Sequence, residues 1–323
     1  MTFIKAKEGA GLRLGVLWME KYVLDLGGAL ADLLINKYKV SICRAYELAH
    51  FLTSDTQRFI EFSPTMSHLI DEATKEYGKS DLEYLINAGI IFGLKEIKYL
   101  PAIPNPPKII GIGLNYEEYR AMLKYPKPDV PLFFFKPSNT LLGHEDYIII
   151  PRGGRWPGTS SKCLFHEFEM AIVIGRRAKD ITKEEALKHI FGVTIFSDIT
   201  AHDIEMMQPG FVLYQQRSKA FNTFSPIGPW IVTMDEFIQR SIDIHNLNIL
   251  RRRNGLVEGR SNTRNMIYKV WDIVEFLSEI MTLEPGDVIS LGSPPAGPPE
   301  GLQPGDVIEA ELEFVGILRN YVK

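Results

Sequence analysis

Apolar positions at the start of the chain follow first a strand period and then a helix period. Leu12 to Trp18 and Tyr22 to Leu26 read as two strands around the charged turn Met19-Glu20-Lys21, and helical spacing follows from Gly28 to Tyr38 and from Ser41 to Leu52. A further helix is predicted from Ser67 to Tyr77, stopped by Gly78. Pro101 to Pro107, P-A-I-P-N-P-P, then breaks the pattern, because prolines so dense continue neither a helix nor a central strand. The boundary drawn there separates a small N-terminal α/β domain, residues 1–104, from a second domain, residues 105–323.

Beyond the boundary the apolar runs are short and punctuated by Gly and Pro, the pattern of a mainly β domain. Ile109 to Leu114 is a predicted strand in which Gly111 and Gly113 suit a close backbone approach. Asn115 to Lys124 looks helical, Tyr125 to Pro131 reads as a loop, and Phe133 to Pro137 as a buried strand carrying Lys136. Gly153 to Ser161 is loop by composition and leads into L-F-H-E-F-E-M-A-I-V-I-G, too β-branched up to Ile174 for a comfortable helix. Thr182-Lys183-Glu184-Glu185 forms a capping box for a short helix to Ile190, ended by Gly192. A short strand, Val193 to Ser197, closes at Asp198, and Thr200 to Met207 reads as a helical turn.

Further on, Asn254-Gly255 after Arg251, Arg252 and Arg253 is a hairpin signal, so the basic run belongs to a strand pair. A helix is expected from Asn262 to about Glu279, with Val270, Val274 and Leu277 on one face. L-x-P-G-D-V-I occurs twice, at Leu283 to Ile289 and at Leu302 to Ile308, each Pro-Gly predicting a type II turn that feeds a strand. A last strand pair surrounds Gly316.

Composition narrows the class. The 45% hydrophobic content is ordinary for a globular protein, and a net charge of −4 gives no electrostatic reason to bind nucleic acid or an anionic membrane. No apolar stretch reaches the roughly 20 residues that span a bilayer, and Met1 to Gly11 lacks the apolar core of a signal peptide. A cytoplasmic protein with a small-molecule partner is expected. Cys43 and Cys163 are expected as free thiols, and without a Cys/His cluster structural zinc is not.

Candidate chemistry lies in the strand before Ile174. Residues two apart in a strand share a face, so Glu167 and Glu169 point the same way while Phe168, Met170 and Ile172 point into packing. Two carboxylates so close repel unless a cation lies between them, and a hard divalent ion accepts oxygen ligands readily. Asp198 is the natural third ligand, and Asp203 is placed to buttress the turn that follows it.

That E-x-E strand and the following S-D-I-T-A-H-D do not stand alone. With I-I-G-I-G-L-N-Y from Ile109, P-L-F-F-F-K-P from Pro131, S-K-A-F-N-T-F-S-P-I-G-P-W-I-V-T from Ser218 and L-G-S-P-P-A-G from Leu291, they resemble the metal-site signature of the fumarylacetoacetate hydrolase family over most of residues 105 to 323. The resemblance implies an α+β fold, mainly β, with a rolled mixed β-sheet catalytic domain, and a homodimer. It implies Mg²⁺, with Mn²⁺ or Ca²⁺ as alternatives, on Glu167, Glu169 and Asp198. It assigns Lys219 to catalysis and places Tyr116, Arg120, Lys136 and Ser293 around the substrate. The implied activity is Mg²⁺-dependent hydrolysis of a carbon–carbon bond in a 2-oxo or 2,4-dioxo acid, of acylpyruvate or fumarylacetoacetate type, through a metal-stabilised enolate in aromatic or sugar acid catabolism.

One position departs from the family's pattern. Many of its hydrolases carry a histidine three residues after the tyrosine of N-Y, usually followed by a glutamate, and this chain reads N-Y-E-E-Y-R-A-M. Tyr119 stands at the histidine position and Met122 at the glutamate position. A tyrosine of ordinary pKa, about 10, is a poor base at neutral pH. Glu118, His144, His166 and His202 are the candidate replacements, although His166 should point away from the carboxylates and His202 is expected to be structural. The alternative is an isomerase, decarboxylase or dehydratase of a 2-oxo acid on the same metal site, with Tyr119 as proton donor. A protein that holds a metal and a dicarboxylate without turnover is the third reading.

Overall fold

The computed structural model describes residues 2–6, 12–77, 82–207, 213–295 and 300–323. It divides into two compact units, Met1–Asn105 and Pro106–Lys323. The helix stop expected at Gly78 and the end of the last family motif, Ala296 and Gly297, lie outside the described residues. Among the described residues no helix is long and apolar enough to cross a membrane.

In the first unit, Thr2–Ala6, Leu12–Trp18 and Tyr22–Asp25 pair in one antiparallel sheet, completed by Ile91–Gly93 and Ile97–Tyr99 at its edges. Every pair is antiparallel, and the helices follow together after the third strand, so the small N-terminal domain sets an antiparallel sheet beside its helices. The helix Leu26–Asn36 starts where Asp25 accepts a hydrogen bond from the Gly27 amide at 3.1 Å. Its Ala29 and Leu33 pack with Trp18, Leu24, Tyr77 and Leu85. The helix expected from Ser67 begins already at Thr56 and continues through Pro64.

The second unit holds a six-stranded mixed sheet in the order Val232–Thr233, Ile190–Ala201, Leu164–Ile174, Val288–Ser290, Ile109–Gly113, Leu132–Lys136. A five-stranded sheet built on Asn248–Arg253, Leu256–Asn262, Val307–Leu312 and Gly316–Val322 faces it. One core joins the two: Phe168, Met170, Ile172 and Ile195 from the first meet Ile249, Ala310, Leu312 and Leu318 from the second, closed by Val270, Ile273, Val274 and Leu277 of the helix Val270–Ile280. The expectation of a mainly β chain describes this unit. Over the whole chain helix and strand are comparable, because three of the longest helices lie in the first unit.

Three local expectations change. The strand expected to close at Asp198 runs from Ile190 to Ala201, which places Asp198 and Thr200 inside a ladder. The strand Leu132–Lys136 is an edge strand and not the buried strand expected: Leu132 and Phe135 are exposed, Phe133 packs partly buried against the core, and only Lys136 is fully buried. The helix expected from Asn262 starts at Val270, because the Asn262 side chain caps a single turn at Thr263–Asn265 and Asp272 then accepts from the Lys269 amide at 3.0 Å.

Both copies of L-x-P-G-D-V-I fold alike. Gly286 and Gly305 have φ of +86° and +93°, and in each copy the aspartate carboxylate accepts from the backbone amide three residues back, Asp287 from Glu284 at 2.7 Å and Asp306 from Gln303 at 2.8 Å. At the hairpin tip, Asn254 and Gly255 are left-handed with φ of +52° and +81°.

Candidate metal centre

The ladder between Leu164–Ile174 and Ile190–Ala201 builds the centre. Glu167 pairs directly with Asp198, so both side chains leave the same face, and Glu169 shares that face by the two-residue repeat. Among the described residues, one oxygen from each of Glu167, Glu169 and Asp198 can be chosen so that all lie within 4.8 Å of one another.

Each carboxylate has a different environment. Glu169 is buried, and its Oε2 accepts from Ser290 Oγ and from the Gly292 amide at 3.0 Å. Burial first, and then the charges of Asp198 and Glu167, push its pKa up to about 8. Asp198 is also buried, yet its carboxyl is held below the usual range: burial opposes this, but Lys136 on Oδ1 and Lys219 on Oδ2 at 2.5 Å outweigh it. Glu167 accepts from Thr200 Oγ1 at 2.8 Å and from Lys219 Nζ at 3.2 Å, and burial raises its pKa although Lys219 opposes.

The two lysines share Asp198 but shift in opposite directions. Burial drives Lys136 down, and it faces Lys219 as a like charge while donating to the Phe224 carbonyl at 2.8 Å. Lys219 is equally enclosed, but Asp198, Glu167 and Glu205 together overcome the effect of burial and hold it charged. Glu205, from the helix His202–Glu205, is a fourth carboxylate whose charge reaches Glu167, Lys219 and Tyr119.

Tyr119 faces this cluster from the helix Glu117–Met122. Burial, followed by the charges of Glu167 and Glu205, pushes its phenol further up, so it stays protonated. Glu118, one residue earlier, has one oxygen engaged and one open: its Oε1 accepts from Ser261 Oγ and Asn265 Nδ2, both at 2.6 Å, and its Oε2 is buried without a protein partner. Tyr116 is buried in the core, within range of the charges of Glu169 and Glu118, and its hydroxyl also has no partner.

Of the other expected site residues, Arg120 and Ser293 are engaged by local partners and Lys136 is at the centre. Arg120 pairs with Glu117 at 2.5 Å, three residues back on its own helix, and caps the Tyr125 carbonyl. Ser293 donates to the Pro294 carbonyl at 2.7 Å; in this loop it is the Gly292 amide and Ser290 that reach the centre. Lys136 is at the centre, bound to Asp198.

The histidine candidates for a base are likewise accounted for. His166 points to the opposite face and meets Ser197 Oγ at 2.9 Å. His202 stacks on Phe165 and pairs with Glu205 at 3.3 Å. His144 accepts from the Arg319 amide at 3.0 Å, and burial, with Arg319 adding, lowers its pKa to about 4.

Sequence reasoning missed Ser290, Gly292, Thr200 and Glu205. Thr200 carries a legible signal, since it lies two residues after Asp198 and so on the same face of an extended strand, whereas Glu205 lies beyond the strand on the helix His202–Glu205. Asp203 was expected as a buttress, and it ties the two elements flanking the ladder: it accepts from Ser161 Oγ at 2.6 Å and from the Lys162 amide at 2.9 Å. Asn115 of the N-Y motif is a latch, donating to the Leu291 carbonyl at 2.8 Å and accepting from the Tyr268 amide at 2.9 Å.

The donor set fits a hard divalent cation. Three carboxylates converge, and the one with no lysine on it, Glu169, is held with its charge uncompensated enough to stay protonated near neutrality. A cation among these oxygens would remove that penalty.

Residues 108–323 match the family model described as fumarylacetoacetate (FAA) hydrolase C-terminal. A protein of Methanocaldococcus jannaschii, MJ1656, is 46% identical over 235 residues, which cover 73% of this chain and 88% of that one. The mitochondrial oxaloacetate tautomerase FAHD2A of Bos taurus is 35% identical over 234 residues, 70% of each chain. Among solved structures, the fumarylacetoacetate hydrolase of psychrophilic Exiguobacterium antarcticum superposes with a TM-score of 0.70 at 26% identity, covering 100% of this chain and 99% of that one.

Proposed function

The chain belongs to the fumarylacetoacetate hydrolase family, and on that premise we propose that it is a divalent-metal-dependent tautomerase or isomerase of a 2-oxo acid, moving a proton at the carbon beside the oxo group. The observation that carries this reading is Tyr119. Where a water-activating histidine would stand, the centre is faced by a phenol held protonated by burial and by Glu167 and Glu205. Such a group donates a proton; it does not activate water. The similarity to an oxaloacetate tautomerase supports the same choice and suggests an oxaloacetate-like dicarboxylic acid as substrate.

In this reading Glu167, Glu169 and Asp198 would hold Mg²⁺ or Mn²⁺. The ion, when bound, supplies positive charge for the substrate's carboxylate and oxo oxygens and for the charge that develops during enolisation. Lys219, charged and already aimed at the carboxylate oxygens, adds a donor for the same anionic substrate. Tyr119 holds its proton on the phenolic oxygen and gives it to the enolate. Glu118, clamped by Ser261 and Asn265 with Oε2 unengaged, takes the proton that leaves carbon.

The test is to follow the ultraviolet absorbance of the enol form of oxaloacetate with protein and Mg²⁺, and to identify products by mass spectrometry. Conversion of enol to keto form without loss of CO₂ is the expected result. Cleavage of acetylpyruvate to pyruvate and acetate faster than this conversion would overturn it. Carbon–carbon hydrolysis is the second reading, supported by the same free Oε2 of Glu118, which could serve as a base for water.

A further inference from the structure

The basic run Arg251, Arg252 and Arg253 takes no part in the chemistry above, yet among the described residues Arg251 is the largest fully buried side chain, 1% exposed. An apolar side chain of similar volume would fill such a place at lower desolvation cost. The contacts of this guanidinium lead instead to the E-x-E strand. Nη1 donates to the His166 carbonyl at 2.7 Å, the backbone immediately before Glu167. The guanidinium also lies over the ring of Phe168, the residue between the two glutamates, 5.6 Å from its centroid.

Two residues of the paired strand flank this contact, while Arg251 Nε and Nη2 themselves make no hydrogen bond among the described residues. Glu258, on the paired strand, approaches Arg251 Nε at 3.4 Å and Arg253 Nε at 2.9 Å. The residue opposite Arg251 in the hairpin is Gly259, where a Cβ would lie 3.3 Å from the Phe168 ring. Phe168 therefore fits a slot made of a guanidinium on one strand and bare backbone on the other. Because His166 and Phe168 leave the strand on the face opposite Glu167 and Glu169, whatever fixes the former fixes the latter.

We propose that Arg251 is a positioning residue for the metal carboxylates: from the second sheet it clamps the His166 carbonyl and the Phe168 ring, and so sets how Glu167 and Glu169 project from the other face. This rests on the metal-site reading given above. Arg252, next in the strand, pairs with Glu311 at 2.6 Å and with Glu309, away from the E-x-E strand, and serves as the control.

Calorimetric Mn²⁺ titration of the full chain tests it, on wild type, R251K, R251M and R252M, each first shown to be folded by circular dichroism. R252M is expected to bind as wild type. R251K keeps a donor but loses the flat stack, and binds more weakly. R251M loses both, and its affinity falls by about tenfold or more, the scale for groups that orient metal ligands. Wild-type affinity in both Arg251 variants overturns the proposal. If R251M does not fold, equal affinities in R251K and R252M overturn it instead. A wild-type chain that takes up no Mn²⁺ overturns the metal-site reading itself, which keeps the two failures distinct.

Discussion

Glu167 and Asp198 occupy a single rung of the ladder between adjacent antiparallel strands, with Lys219 donating to both. Like charges directly opposed in a ladder destabilise it, and here a buried ammonium holds them together.

Removing Asp198 should therefore do more harm than removing a ligand. D198N leaves Lys136 and Lys219 buried without their shared counter-charge, and urea denaturation should show a loss of about 3–5 kcal/mol. E169Q removes a carboxylate that carries no lysine, so the metal-free protein should melt at a higher temperature than wild type. The same variant should no longer bind Mn²⁺ tightly, and wild-type binding by E169Q would show that Glu169 is not a ligand.

The raised pKa of Glu169 gives a direction for pH dependence. Its folded value, about 8, lies above the ordinary glutamate value of about 4.3, so its contribution to stability is fully present below the lower value and is lost as pH rises through the upper. In EDTA, the melting temperature of wild type should fall relative to E169Q across that window. Mn²⁺ affinity should rise over the same range, with proton release detectable by calorimetry in buffers of different ionisation enthalpy.

The proposed reaction turns on Tyr119. Y119F should keep Mn²⁺ binding and lose about 100-fold in turnover, within the usual contribution of a single proton-transfer group. Y119H should gain cleavage of acetylpyruvate. A Y119F protein with wild-type turnover would remove Tyr119 from the chemistry.

Gly292 is a position where no side chain fits. Its φ is +92°, and a Cβ would lie 2.8 Å from the Asn115 Cβ and 3.0 Å from the Ile112 carbonyl. G292A should destabilise by about 1–3 kcal/mol. It should also weaken Mn²⁺ binding, because the displaced amide is a donor to Glu169. Loss of stability with unchanged affinity would separate the turn from the centre.

The centre was legible where it depends on local geometry. The two-residue period of a strand put Glu167 and Glu169 on one face, and a neighbouring strand offered Asp198 as a partner. Ser290 and Gly292 were not legible as partners of Glu169, because a long-range pairing of Val288–Ser290 with the E-x-E strand brings them there. For Arg120 and Ser293, expected at the substrate from their motifs, the pattern did not announce the local contacts they make, with a glutamate three residues back and with an adjacent carbonyl. In the first unit the front half of the Thr56–Tyr77 helix was hidden by Pro64, which lacks an amide donor and usually marks a boundary.

Lys136 and Lys219 make the protein its own source of counter-ions. With both ammonium groups on Asp198, the three carboxylates and two lysines sum to −1 when all are ionised, so folding does not wait on metal supply. On the proposed metal-site reading, an ion would compete with the resident amines for Asp198 in place of dropping into an uncompensated triad. Such an arrangement would give up affinity and gain exchange, so turnover should track the free divalent ion in the surroundings as a graded response.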